Sequence, residues 1–167
     1  MTNIGRMSAV AALALLTLPI ATSARADSVR WQTIVGIIQA GNAVGNITGG
    51  GQPWTTLGGR ARVDLSKSQV DFDVQGLVLA GGATVGTAGA VTQVKGTLVC
   101  GAGLPGQVTL DTPLVTLSPQ GDAEFSGAIG PIPTTCNATN VVFLVRVAAD
   151  RWIANGAVRN TPAKVSQ

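Results

Sequence analysis

The chain has 167 residues, with 11 Lys and Arg against 8 Asp and Glu, three Trp, three Phe, and neither His nor Tyr. That length makes one domain. Without an imidazole, Ser-His-acid and Cys-His catalysis are excluded, and the usual zinc, haem and copper ligand sets lose their main member.

Residues 1–26 read as a cleavable secretion signal. A short basic start (Met1 to Arg6) leads into an apolar run from Met7 to Ala21, and Ala24-Arg25-Ala26 gives the small-x-small pattern that places cleavage after Ala26. Pro19 breaks the run short of the roughly 20 apolar residues a spanning helix needs. No cysteine stands at the cut to carry a lipid, so no stable membrane insertion is expected after signal removal. The expected location is secreted, periplasmic or extracellular, and the alanine-rich signal points to a bacterial source. Arg6 and Arg25 leave with the signal, so the exported part keeps nine bases against eight acids, a net of +1. Nucleic-acid binding needs clustered Lys and Arg to displace counterions, and none is expected here.

Beyond the signal, the apolar pattern has period two, the signature of half-buried strands. Trp31 to Ile38 is rich in Thr, Ile and Val. Ala61, Val63 and Leu65 alternate with Arg60, Arg62 and Asp64, and Val70, Phe72 and Val74 alternate with Asp71, Asp73 and Gln75. These two segments make a hairpin. Pairing Val63 with Val70 sets Arg62 opposite Asp71 and Arg60 opposite Asp73, with Ser66-Lys67 as the turn; a slip of two residues would oppose Asp64 and Asp71. Turn chemistry argues the other way, because Ser-Lys lacks the Gly or Asn of a two-residue hairpin.

Further strands are expected over Gln93 to Cys100, Gln107 to Leu117 (an edge, or two pieces split at Pro113), Asp122 to Ile129, Val141 to Ala148 and Trp152 to Val158. Gly41 to Gly51 and Gly81 to Gly89 read as loops, and 161–167 as a polar tail. About eight strands over residues 27–160, with no helical period, predict an all-β single domain: an antiparallel β-sandwich, with a small β-barrel as the alternative. An outer-membrane barrel is set aside, because three Trp, three Phe and no Tyr cannot build two aromatic girdles.

Cys100 and Cys136, an even pair in an exported chain, are expected to form a disulfide. Closing a loop of roughly 37 residues stabilises a fold by about 3.8 kcal/mol in the chain-entropy model. Two thiols without a histidine or a further cysteine cannot complete a tetrahedral shell, so no metal and no cofactor are expected.

Two i, i+2 carboxylate pairs, Asp71 with Asp73 and Asp122 with Glu124, are the candidates for acid–base work, although each falls on the polar phase of its strand, where a solvated sheet face is the simpler account. Trp54, in the loop Gly49-Gly-Gly-Gln-Pro-Trp-Thr-Thr, is a candidate stacking platform for a sugar or peptide, against the alternative of an indole folded over the core. Trp31 and Trp152 fall within strands and read as core. Neither glycine-rich loop carries a phosphate-binding pattern. Asn46-Ile47-Thr48 and Asn137-Ala138-Thr139 match the glycosylation tripeptide and are assigned no role.

Alternating strands, glycine-rich turns and a secretion signal resemble the exported bacterial domains related to those of chordin. Those domains carry a histidine-containing central motif, which a chain without histidine lacks, and the resemblance is not adopted. The expectation is an exported, non-catalytic module with a binding or structural role. A small barrel holding an apolar ligand and a carboxylate-only hydrolase are the alternatives. Self-association through hairpin edges is a further expectation.

Overall fold

A computed structural model describes residues 28–160. The signal expected over 1–26 and the tail expected over 161–167 lie outside the described residues. The chain within them is all strand and turn: β1 (Ser28–Gly36), β2 (Ala43–Val44), β3 (Ile47–Thr48), β4 (Trp54–Thr55), β5 (Gly58–Asp64), β6 (Gln69–Gln75), β7 (Val78–Leu79), β8 (Gln93–Cys100), β9 (Val108–Asp111), β10 (Val115–Thr116), β11 (Ala123–Ala128), β12 (Val141–Val147) and β13 (Trp152–Asn160). Among the described residues no helix is long and apolar enough to cross a membrane.

Eight strands run across one curled antiparallel sheet in the order β10-β8-β12-β13-β1-β5-β6-β11, and β9 pairs with β8 beside this path. Small two-stranded sheets, β2-β3 and β4-β7, lie apart from it. The long strands thus belong to one continuous ladder bent into a half-barrel, an architecture between the two that the sequence suggests. The bend shows in the core. Phe72 on β6 lies 5.5 Å, centroid to centroid, from Phe143 on β12, although β5, β1 and β13 stand between those strands in the ladder. Trp31 touches Phe143 at 5.7 Å and Phe125 stacks on Phe72 at 6.2 Å, so aromatic rings fill the hollow of the curl.

Gly96 on β8 faces this cluster. A Cβ there would stand 2.8 Å from Phe72 Cε1 and 2.9 Å from Phe143 Cζ. Glycine inside a strand here marks close approach across the core. The neighbouring strand on that side is interrupted at the same place: Thr112 donates its N–H to the Gly96 carbonyl and accepts the Gly96 N–H on its hydroxyl, and Pro113 then separates β9 from β10. The predicted split at Pro113 is what the chain does.

The β5–β6 hairpin has the charge-matched register: Val63 opposite Val70, Arg62 opposite Asp71, Arg60 opposite Asp73. Its turn is longer than the Ser66-Lys67 pair. Pairing ends at Asp64 and Gln69, leaving Leu65 to Ser68 as the loop. The Asp64 carboxylate accepts hydrogen bonds from the Ser66 hydroxyl and from the N–H groups of Ser66 and Lys67, while Ser68 adopts φ 53°. Side-chain capping and one left-handed residue thus replace the Asn-Gly chemistry of a shorter turn.

Strands β8 and β12 are buried on both faces, which hides their period. Phe143 points inward, while Leu144, on the other face, is equally inaccessible. The β2–β3 hairpin within the expected loop 41–51 lies over that outer face: Asn46 and Ile47 border the same hollow as Thr109 and Arg146, and Gln107 hydrogen-bonds Asn46. Cys100 ends β8 and is bonded to Cys136, with Sγ atoms 2.12 Å apart. A disulfide is compatible with an oxidising, exported location.

Candidate functional site

Trp54 begins β4, pairs with Leu79 and is 5 % exposed. Its N–H donates to the Ile37 carbonyl, and a Cβ on Gly36 would stand 2.2 Å from the Trp54 carbonyl oxygen. The residue is wedged into the base of β1, and its indole offers no open face for stacking. Of the two readings of Trp54, the indole folded over the core is the one that agrees with this burial, and the stacking platform is corrected: burying a large apolar ring outweighs leaving it in water. Trp31 and Trp152 are buried as expected, and the Trp152 indole N–H donates to the Asn42 carbonyl.

The carboxylates fall differently from their sequence pairing. Asp122 accepts the Gly76 N–H at 2.9 Å beside the close approach of Gly121 to the backbone of Leu77, and it borders a second hollow together with Asp73 and Glu124. Glu124 is brought next to Asp73 by the β6–β11 ladder, and Ser126 next to Asp71. Asp71, Asp73 and Glu124 therefore share one outer face with Arg30, Arg60 and Arg62, since β1 pairs with β5 and sets Arg30 opposite Arg62. A hollow of about 1090 Å³ lies over this four-stranded face.

Charge on this face is divided by strand. Strands β1 and β5 carry Arg30, Arg62 and Arg60; strands β6 and β11 carry Asp71, Asp73 and Glu124. Across the dividing seam Arg60 Nε meets Asp73 Oδ1 at 2.7 Å. Asp71 accepts a hydrogen bond from the Ser126 hydroxyl instead of pairing with Arg62. Among the described residues, no carboxylate lies within ion-pair distance of Arg30 or Arg62, and no base within that distance of Glu124. These side chains stand in water on an open sheet face, a setting suited to contact more than to acid–base chemistry, which calls for a sheltered carboxyl.

A second polar group went unrecognised in the sequence. On the outer face of β8 and β12, Lys95 and Arg146 are direct cross-strand neighbours, an arrangement that repels unless acids intervene. Two do. Lys95 Nζ lies 2.7 Å from both Asp111 Oδ2 and Asp150 Oδ1, and Arg146 reaches Asp111 Oδ1 and Asp150 Oδ1 at 3.1 Å each. Arg146 also donates to the Asp150 carbonyl, and Thr97 Oγ1 donates to Asp111. Burial works against the Lys95 ammonium, but hydrogen bonds to Asp111 and Asp150 outweigh it and raise its pKa above the ordinary lysine value. The hydrogen bond from Lys95, with the charges of Lys95 and Arg146, holds Asp150 below the ordinary carboxylate range.

Alternating signs close a ring of two bases and two acids, with the Arg146 side chain 9 % exposed. Every member is satisfied by another, so the ring reads as a clamp joining β8, β9, β12 and the β12–β13 turn. A signal existed in the sequence: Arg146 interrupts the otherwise apolar run Val141 to Val147. Among the described residues no group of three or more His, Cys, Asp or Glu is placed to hold a metal ion. No protein-family model matches the chain, and neither the curated proteins nor the solved structures give a match.

Proposed function

We propose that the chain is an exported, non-catalytic module that works by binding, and that its contact surface is the charged outer face of β1, β5, β6 and β11. The observation that carries this reading is the division of that face into a basic half and an acidic half beneath a hollow of about 1090 Å³. Clustered exposed charge of ordered sign favours recognition of a charged partner and steers its approach. An apolar-ligand barrel is less well supported, since Trp31, Phe72, Phe125 and Phe143 pack against one another inside the curl. We also read the curl as a sandwich made from one sheet, with β8, β12 and β13 packed over β5, β6 and β11.

Retention of the oxidised, exported protein on heparin and on poly-lysine tests the reading. At low salt, one or both polymers should retain it. Arg60→Ala with Arg62→Ala should weaken heparin retention, and Asp71→Asn with Asp73→Asn that on poly-lysine. Passage of the wild type through both columns, together with a glycoside-hydrolase activity lost in Asp73→Asn, would overturn it.

A further inference from the structure

Resting on the reading of this face as the contact surface, we infer that its partner is a second copy of the same chain, related by a two-fold axis parallel to the strands above the β5–β6 seam. Such an axis keeps each cross-strand row in place and exchanges the two halves of the face. It lays β5 over β6 of the second copy, and β1 over its β11. The residue rows then fit by charge. Arg62, which shares a row with Asp71, comes to face Asp71 of the second copy, and Arg60 comes to face Asp73 of the second copy.

Within one chain both halves are strained by like charge. Arg30 sits directly opposite Arg62, and Asp73 directly opposite Glu124. Like charges at directly opposed positions are destabilising, and among the described residues the Arg60–Asp73 contact is the only ion pair on this face that offsets them. Turning a second copy over the first places Arg62 above Asp71 and Arg60 above Asp73 in both directions, and so gives one member of each repelling pair an opposite charge to face. A closed two-fold contact uses the same patch twice, which is what a surface with equal and segregated charge supplies. The hollow above the face leaves room for the extended arginine side chains of the copy lying over it.

The experiment is a charge swap read by sedimentation equilibrium on the exported, oxidised protein. The wild type should dimerise at 50 mM salt, and its association constant should fall by about tenfold or more at 500 mM, as charge-driven contacts are screened. Arg60→Asp with Arg62→Asp makes the two central strands of the face, β5 and β6, acidic; Asp71→Arg with Asp73→Arg makes them basic. Each variant should be monomeric alone, and an equal mixture should recover a one-to-one dimer. Near-wild-type circular dichroism and melting for each variant, whose changes are exposed, would show that it folds.

Variants that both stay dimeric would overturn the inference, because the dimer would lie elsewhere. A wild type that stays monomeric at low salt would also overturn it. In that case, continued retention on heparin or poly-lysine would leave the binding reading standing without a second copy as partner.

Discussion

Gly96→Ala is the sharpest test of the curl. The added methyl would stand 2.8 Å from Phe72 Cε1, 2.9 Å from Phe72 Cδ1 and 2.9 Å from Phe143 Cζ, where carbon atoms rest at about 3.5–4.0 Å. Neither ring can retreat. Phe143 is fully buried and backed by Trp31, and Phe72 is backed by Phe125. Overpacking of this kind costs about 1–3 kcal/mol, and two blocked rings place it in the upper part, about 2–3 kcal/mol. For a domain of this size that lowers the melting temperature by roughly 6–15 °C. Urea and thermal unfolding followed by tryptophan fluorescence would read it. Phe72→Leu shortens the obstructing ring, so the double variant should recover about 1 kcal/mol or more relative to additivity. A Gly96→Ala protein that melts within about 2 °C of wild type, or a cycle with no coupling, would refute the packing of β8 across from β6.

Reduction of the Cys100–Cys136 link should lower stability by about 3–4 kcal/mol through the freedom returned to the unfolded chain; an unchanged urea midpoint with and without dithiothreitol would contradict it. Arg146→Met should destabilise by about 2–4 kcal/mol, because it leaves Lys95 facing two acids with one positive charge removed from a mostly buried site. Asp150→Ala, on the exposed side of the ring, should do much less, and equal losses in the two variants would show that the clamp is not centred on Arg146. Stability should also fall at both ends of the pH scale. The depressed carboxyls of Asp64 and Asp150 stabilise above the ordinary value of 3.8, and that contribution is lost as pH falls through their folded values. The raised Lys95 ammonium contributes fully below 10.5 and loses its contribution as pH rises through its folded value. With no tyrosine to titrate nearby in pH, Lys95→Met should flatten the alkaline limb in urea midpoints measured from pH 3 to 11, and an unchanged limb would remove Lys95 as its source.

Local chemistry was legible in the sequence, and distant pairing was not. Alternation located β5, β6 and β11 to within a few residues, and opposed charges set the β5–β6 register, because Arg62 and Asp71, and Arg60 and Asp73, are near neighbours in the chain. The joining of β11 to β6, which assembles the charged face, depends on a partner some fifty residues away and leaves no periodic trace. Strands β8 and β12 lost their alternation once the β2–β3 hairpin covered their second face. Trp54 left two readings open, because its flanking glycines are equally consistent with a free loop and with a segment folded over the core. The backbone of Trp54 packs against Gly36, and its side chain is buried in the core.

The ladder between β1 and β13 joins the first and last strands described, with Arg30 opposite Asn160 and Thr33 opposite Ala157. The centre of the sheet therefore cannot be completed until the far end of the chain has arrived. Strand β1 must wait for a neighbour more than a hundred residues downstream, so the domain resists premature closure while it emerges from one end, and its slowest folding step should be this late insertion between strands already formed. On the proposed export route, where a polypeptide is threaded through a membrane before it folds, such delay would keep the chain in a form that can still pass.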